Sequence, residues 1–207
     1  MQQSHGGALK LSKESSADPV DKTLYRSIIG GLWYLVHTRS DISFAVGYLS
    51  RLMEKPASDH YAAVKHLLWC VAGTLDHGCA YGRREGALQL TGYSDSDHAG
   101  DTDDRKSMTG VIFFLDRSPP KLLVDNKSTI SLAKNPVFHD RSKDIEIRYH
   151  FIRECVEQGR IFIDYVRTSD QLADTMTKAL GRLVFQELRR RIGMVEIIRQ
   201  RQDPPSR

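Results

Sequence analysis

The chain has 207 residues with a net charge of +4 at pH 7, and 40% of its residues are hydrophobic. This length is sufficient for one large or two small domains with a buried core. The longest apolar runs, 67–72 and 111–115, are far shorter than a membrane span, and the N-terminus lacks a signal-peptide pattern. We therefore expect an intracellular protein, cytoplasmic or nuclear, with no membrane partner.

The cysteines and the charge distribution give further indications of the cellular compartment and the kind of partner. Cys70, Cys79 and Cys155 form no Cys-x-x-Cys pair, which predicts three buried thiols in a reducing compartment. Residues 121–207 contain 17 Lys/Arg against 12 Asp/Glu. A basic C-terminal half suits a nucleic-acid partner, although ordinary surface charge explains it nearly as well.

The N-terminal part of the chain predicts a small helical module. Residues 1–20 are poor in apolar side chains and are assigned to a disordered tail. Apolar residues then recur at helical spacing over 25–36, 42–53 and 58–72, and Gly73 ends the third helix. Residues 21–82 are the predicted helical module, in which Trp33, Tyr34 and Trp69 are core or interface residues.

Strands dominate the predicted second domain, residues 87–195, which is followed by a tail at 196–207. Alternating or β-branched runs place strands at 88–95, 110–115, 121–125 and 161–166, with helices at 127–134, 146–158 and 183–192. The segment Thr168–Gln171 has the pattern of a capping box, which predicts a helix that starts there and carries Asp174 in its second turn.

Aspartates follow two of these strands. Asp95 and Asp97 lie at the end of the first strand, and Asp125 ends the strand 121–125. If the two strands are parallel, their carboxyl ends adjoin, and Asp174 could complete an acidic cluster suited to a hard divalent cation. Each aspartate also has a simpler explanation: an acidic turn for 95–104, a neighbour of a helix N-cap for Asp125, and a solvated helix residue for Asp174.

Several motifs, in order, resemble the end of the reverse transcriptase and the ribonuclease H domain of copia-type retrotransposon polyproteins. The motifs are Tyr25-Arg26-Ser27-Ile28-Ile29-Gly30-Gly31, Tyr93-Ser94-Asp95-Ser96-Asp97-His98-Ala99-Gly100, Arg105-Lys106-Ser107-Met108-Thr109-Gly110, Val124-Asp125-Asn126-Lys127-Ser128, Arg148-Tyr149-His150-Phe151 and Gln171-Leu172-Ala173-Asp174. The resemblance covers about residues 20–195.

The resemblance implies an α/β fold with a ribonuclease H-like mixed sheet. In the family, this domain cleaves the RNA strand of RNA–DNA hybrids with two Mg²⁺ ions. Carried over to this chain, the catalytic and metal-binding residues are Asp95, Asp125 and Asp174. The candidate nucleic-acid contacts are Asn126, Lys127, Arg148, Arg153 and Lys178.

One departure from the family is large. The family continues after Phe114-Leu115 with another strand and a helix that carries a fourth metal ligand, a glutamate. Here residues 116–120 lead directly into Lys121. Five extended residues reach about 17 Å and need to bridge two strand spacings, roughly 9.5 Å, so the shortened sheet can still form.

We therefore expect a sheet of about four strands with one poorly covered face and an exposed edge at 111–115. The fragment is expected to be inactive as a ribonuclease. The alternative is a non-catalytic nucleic-acid- or protein-binding module derived from the element. The oligomeric state is not determined by the sequence.

Overall fold

The computed structural model describes residues 11–81, 89–96, 103, 107–116, 120–134, 152 and 154–197. These residues fall in two compact units. The first takes its residues from 1–82, 101–105 and 178–207, and the second from 83–100 and 106–177. No helix in the described ranges is both long enough and apolar enough to cross a membrane.

The described residues of the first unit form four α-helices, a 3-10 helix at Ser40–Ile42 and a two-stranded sheet. The helices are α1 (Lys22–Val36), α2 (Ser43–Ser50), α3 (Ser58–Ala72) and α6 (Arg182–Arg191). Strand β1 (His77–Cys79) pairs antiparallel with β6 (Met194–Glu196). The three N-terminal helices agree with the predicted periodicity, and α3 is preceded by Ala57 as its N-cap and followed by Gly73 as its C-cap.

The core of the first unit lies between α1, α2 and α3. Its buried members are Tyr25, Ile29, Leu32, Ile42, Val46, Leu49, Leu52, Val64 and Leu67. These residues lie in the three stretches with apolar residues at helical spacing, and on α3 Leu67 is buried whereas the adjacent Leu68 is 37% exposed. The helical stripes therefore pack on one another as predicted.

Two expectations about buried side chains need correction. Trp33, Tyr34 and Trp69, expected to be core or interface residues, do not lie in the core, because 44%, 82% and 73% of their surfaces are exposed. Cys70 is also exposed, because it lies on the outer side of α3. α1 and α3 therefore carry apolar side chains both on the face that packs in the core and on the face exposed to solvent.

A buried ion pair lies in the turn before α2, and its arginine also binds the residue that follows α3 and Gly73. Arg39 donates to both carboxylate oxygens of Asp41, with Nε–Oδ1 at 2.9 Å and Nη2–Oδ2 at 3.0 Å. The same guanidinium donates to the main-chain oxygen and the hydroxyl of Thr74, both at 2.9 Å. Both charges are buried, so their stability depends on this complete set of hydrogen bonds.

Residues 11–18, assigned from the sequence to a tail, make hydrogen bonds to the helices. Leu11 N donates to the Tyr48 hydroxyl at 2.9 Å, and Nε2 of the buried His60 lies 2.9 Å from the Ser12 oxygen. Ser15 Oγ donates to Asp59 at 2.9 Å.

The second unit is built on a four-stranded mixed sheet. Its strands are β2 (Gln89–Ser96), β3 (Thr109–Asp116), β4 (Lys121–Val124) and β5 (Phe162–Tyr165), in the order β3-β2-β4-β5. β3 is antiparallel to β2, whereas β2, β4 and β5 are parallel. Among the described residues, the α-helices of this unit are α4 (Lys127–Lys134), a helical segment at 154–157, and the single turn α5 (Asp174–Thr177). The predicted class, an α/β fold with a truncated ribonuclease H-like sheet of about four strands, is confirmed.

One face of this sheet is only partly covered. The register places Leu90, Val111, Phe113 and Leu115 on the same face as Leu122 and Val124. α4 packs over β4 and β5, but the four residues on β2 and β3 are 42–63% exposed. We call Leu90, Val111, Phe113 and Leu115 the open sheet face. Its exposure agrees with the poorly covered face expected from the sequence.

The predicted capping box at Thr168–Gln171 is wrong. Residues 168–170 form a 3-10 helix without a side-chain cap, and α5 begins only at Asp174. The Gln171 side chain instead donates to the main-chain oxygen of Ser94 at 3.0 Å. A distant partner therefore replaces the local one that the sequence pattern suggested.

Ionisation of Tyr25 is expected to weaken the first unit at high pH. Burial, assisted by the nearby Asp59 carboxylate, raises the pKa of Tyr25 from 10.0 to about 12. The unfolded chain therefore loses this proton first, and the stabilisation, present in full below pH 10, is lost as the pH rises toward 12. The loss is about 2 to 3 kcal/mol. Denaturant melts should show that the free energy of unfolding decreases less between pH 9 and pH 11.5 for Tyr25→Phe than for the wild type. Equal decreases in the two proteins would contradict the role assigned to Tyr25.

Adjacent phenylalanines on β3 offer a matched test of the open sheet face. Phe113 is 60% exposed, whereas Phe114 is half-buried and packs edge-on against Tyr93, with ring centroids 5.7 Å apart. We expect Phe113→Thr to change the free energy of unfolding by less than about 0.5 kcal/mol and to delay heat-induced aggregation. Phe114→Thr should cost about 2 kcal/mol. Urea melts and light scattering measure both effects, and equal costs would show that the two faces are equally packed.

Candidate metal centre

Parallel pairing of β2 and β4 brings two aspartates together. In the register, Ser94 lies opposite Val124, so the next residues of the two strands, Asp95 and Asp125, emerge side by side at the carboxyl edge of the sheet. Asn126 then caps the N-terminus of α4, because its Oδ1 accepts hydrogen bonds from Ser128 N at 2.9 Å and Thr129 N at 3.2 Å. This cap turns the chain away directly after Asp125.

Asp174 reaches the same edge on the single turn α5. The segment approaches β3 at Gly110, the residue opposite Asp95. A Cβ at Gly110 would lie 2.6 Å from Met176 Cβ and 2.8 Å from Thr177 Cγ2, so any larger residue would push α5 away. Thr177 Oγ1 donates a hydrogen bond to Asp95 Oδ2.

The three carboxylates form one cluster. Each offers an oxygen, and these oxygens all lie within 4.8 Å of one another. Asp95 and Asp174 are buried, with 7% and 5% of their surfaces exposed, and Asp125 is half-buried. Two unit charges at this separation repel by about 3 to 4 kcal/mol at an effective dielectric constant of 20. A divalent cation would convert this repulsion into attraction, and three carboxylate oxygens are suitable ligands for Mg²⁺, Mn²⁺ or Ca²⁺.

A cavity of about 440 Å³ lies beside the cluster. Asp95, Asp125 and the hydroxyls of Ser94, Ser96 and Ser107 form its polar side. Its apolar side is formed by Leu122, Val124, Ala133, Ile152 and Ile163. The cluster therefore has room for water molecules or a substrate group next to the carboxylates.

The five residues predicted to contact nucleic acid do not form one group in the described structure. Asn126 caps α4, and the Lys127 ammonium lies over the Tyr165 ring at 5.1 Å from its centroid. Lys178 belongs to the first unit and is half-buried. Arg148 and Arg153, as well as Asp97, lie outside the described residues.

Sequence reasoning assigned no site role to three residues that position the cluster: Gly110, Gln171 and Thr177. A glycine inside a strand signals a close approach of another segment, so Gly110 carried a usable signal. The roles of Gln171 and Thr177 depend on partners 77 and 82 residues away, at Ser94 and Asp95, which local patterns do not reveal.

Comparison with known proteins identifies the family. The chain is 36% identical, over 95% of its length, to the retrovirus-related Pol polyproteins from transposons RE2 and RE1 of Arabidopsis thaliana. It is 32% identical over 91% of its length to the corresponding polyprotein from transposon TNT 1-94 of Nicotiana tabacum. The chain belongs to the Pol polyproteins of copia-type retrotransposons. No family model and no solved structure matches it.

The chain corresponds to a small part of these Pol polyproteins. It spans 16% of the RE2 and RE1 polyproteins and 18% of the TNT 1-94 polyprotein. The alignments with RE2 and RE1 extend over 244 positions, whereas this chain has 207 residues in all. The relatives therefore contribute at least 37 positions for which this chain has no residue.

Removing one carboxylate should stabilise the metal-free protein. In EDTA, Asp125→Asn relieves its repulsion with the two buried aspartates and is expected to raise the free energy of unfolding by about 1 to 2 kcal/mol, reduced by solvent screening. The exposed Asp164 of β5 supplies the control, since Asp164→Asn should have no effect. Thermal melts in EDTA measure both. A lower melting temperature for Asp125→Asn would show that this carboxylate makes a stabilising contact instead.

Proposed function

We propose that the second unit is the remnant of a ribonuclease H-like domain that binds one divalent cation and no longer cleaves RNA–DNA hybrids. The observation that carries this proposal is the convergence of Asp95, Asp125 and Asp174 from β2, β4 and α5 at one edge of the sheet. The chain's membership in the Pol family makes a nuclease ancestry the natural source of this arrangement. Mg²⁺ is the cation that the resemblance implies.

The three aspartates would hold the ion from one side of the sheet edge. Asp95 and Asp125 extend from neighbouring strands with little freedom, and α5 adds Asp174 from beside β3. When bound, the ion would supply charge stabilisation to a phosphate oxygen and lower the pKa of a coordinated water. The chain itself would contribute the cavity beside Asp95 and Asp125 and the anchoring of each carboxylate.

Loss of cleavage follows from the ligands that this chain lacks. Two-ion catalysis needs enough oxygen ligands to fix both ions, and no histidine, cysteine or glutamate of the described residues joins the three aspartates. β3 ends at Asp116 and β4 begins at Lys121, so the family's glutamate-bearing helix has no place between them. The longer alignments of the relatives and the open sheet face both support loss of a covering segment.

A non-catalytic nucleic-acid-binding module is the second candidate. It is favoured by the exposed aromatic side chains of the first unit, Trp69, Tyr34 and Trp33, which offer surfaces on which bases can stack. Such binding would weaken with increasing salt and would be unaffected by EDTA. Binding of a divalent cation would instead depend on the acidic cluster. The two candidate functions can therefore be distinguished by experiments on the same protein.

Isothermal titration with Mg²⁺ and Mn²⁺, together with a labelled RNA–DNA hybrid, tests the first proposal. We expect one ion per chain, loss of binding in Asp95→Asn and Asp174→Asn, and wild-type binding in Asp164→Asn. No hybrid cleavage is expected in either metal. Metal-dependent cleavage that disappears in Asp125→Asn would show that the domain is an active nuclease. Failure of the wild type to bind either ion would show that the cluster is not a metal site.

A further inference from the structure

We infer that Gln171 is a positioning residue of the proposed metal site, because it ties the turn that carries Asp174 to the strand that carries Asp95. The inference rests on the proposed function and adds a residue outside the three carboxylates. Gln171 is completely buried, and its Nε2 donates to the main-chain oxygen of Ser94 at 3.0 Å. Ser94 directly precedes Asp95 on β2.

The same side chain also acts at the start of α5. Gln171 Oε1 accepts from Ala173 N at 3.3 Å, and the Gln171 main-chain oxygen accepts from Asp174 N at 3.3 Å. One residue therefore binds the strand end with one atom of its amide and orders the backbone before Asp174 with the other. A single buried side chain therefore connects the segment that carries Asp174 to the strand that carries Asp95.

Such a link is needed because α5 has only four residues. A single helical turn has no stability of its own, since one turn orders several residues for very few hydrogen bonds. Its position must come from tertiary contacts, whereas metal ligands need to be held within about 0.5 Å of their working geometry. Gly110 allows α5 to approach β3, and Gln171 fixes where the approach begins.

The far end of α5 is fixed separately. Thr177 Oγ1 donates to Asp95 Oδ2, so the turn is attached to β2 both before and after Asp174. The Thr177 contact engages a ligand oxygen directly and orients that carboxylate. The Gln171 contact reaches only backbone atoms, and its effect on a bound ion must therefore pass through the position of Asp174.

Titration of Mn²⁺ into the purified full chain, followed by the electron paramagnetic resonance signal of free Mn²⁺, tests this role. Gln171→Met has nearly the same length and volume but makes neither hydrogen bond. We expect it to bind one ion with an affinity lower by roughly 10- to 100-fold, the loss typical of groups that orient metal ligands. The control is Gln158→Met, at an exposed glutamine whose amide donates to Glu154, and its affinity should equal that of the wild type.

Thermal melts in EDTA separate positioning from general stability. A positioning role predicts that Mn²⁺ raises the melting temperature less in Gln171→Met than in the wild type. If folded Gln171→Met binds Mn²⁺ as tightly as the wild type, the residue only stabilises the fold and the inference is overturned. If Gln171→Met is unfolded at the assay temperature, Gln171→Asn replaces it, because its amide is one methylene too short to reach Ser94, and the same loss of affinity is expected.

Failure of the metal proposal is distinguishable from failure of this inference. If the wild type binds no Mn²⁺, the proposed function is wrong, and amide hydrogen exchange in residues 172–177 then decides the role of Gln171. Faster exchange confined to these residues in the Gln171 variant supports positioning of α5. Unchanged exchange shows that Gln171 does not hold the turn, and the inference is then overturned as well.

Discussion

The acidic cluster depends on the parallel pairing of β2 with β4 in one register. Because Ser94 lies opposite Val124, Asp95 and Asp125 leave their strands at the same level. A shift of one residue would turn one of the two side chains to the opposite face of the sheet. Asp174 can complete the cluster only because Gly110, opposite Asp95, leaves room for α5. The chemistry at the sheet edge is thus a consequence of backbone hydrogen bonding within the sheet.

The arrangement stores unfavourable energy that a cation would release. Two buried carboxylates and a half-buried one lie close together, while hydrogen bonds from Thr177 and around Gln171 hold the segment in place. A structure selected only for stability would replace at least one of these carboxylates by a neutral side chain. The proposed metal site gives a physical reason for three carboxylates at one position, because a bound cation would offset their repulsion.

The open sheet face is the second distinctive feature of this sheet. Val111, Phe113 and Leu115 expose apolar surface to solvent on the terminal strand β3, and Leu90 does so on the neighbouring strand β2. Such edges promote association unless another segment covers them. The relatives contain at least 37 additional aligned positions, which is ample for a strand and a helix. The sheet and its acidic edge therefore form although the described residues cover this face only in part.

The sequence by itself determined the helices of the first unit, the four strands and the aspartates at the strand ends. These features arise from local periodicity, and periodicity reports which residues can share a face. Tertiary structure alone decided that α5 is a single turn and that Trp69 is exposed. It also decided that Gln171 takes no part in a capping box and instead donates to the main-chain oxygen of Ser94. The physical reason is that each of these outcomes depends on which distant segment supplies a hydrogen-bond partner or a packing surface, and local spacing carries no record of that partner.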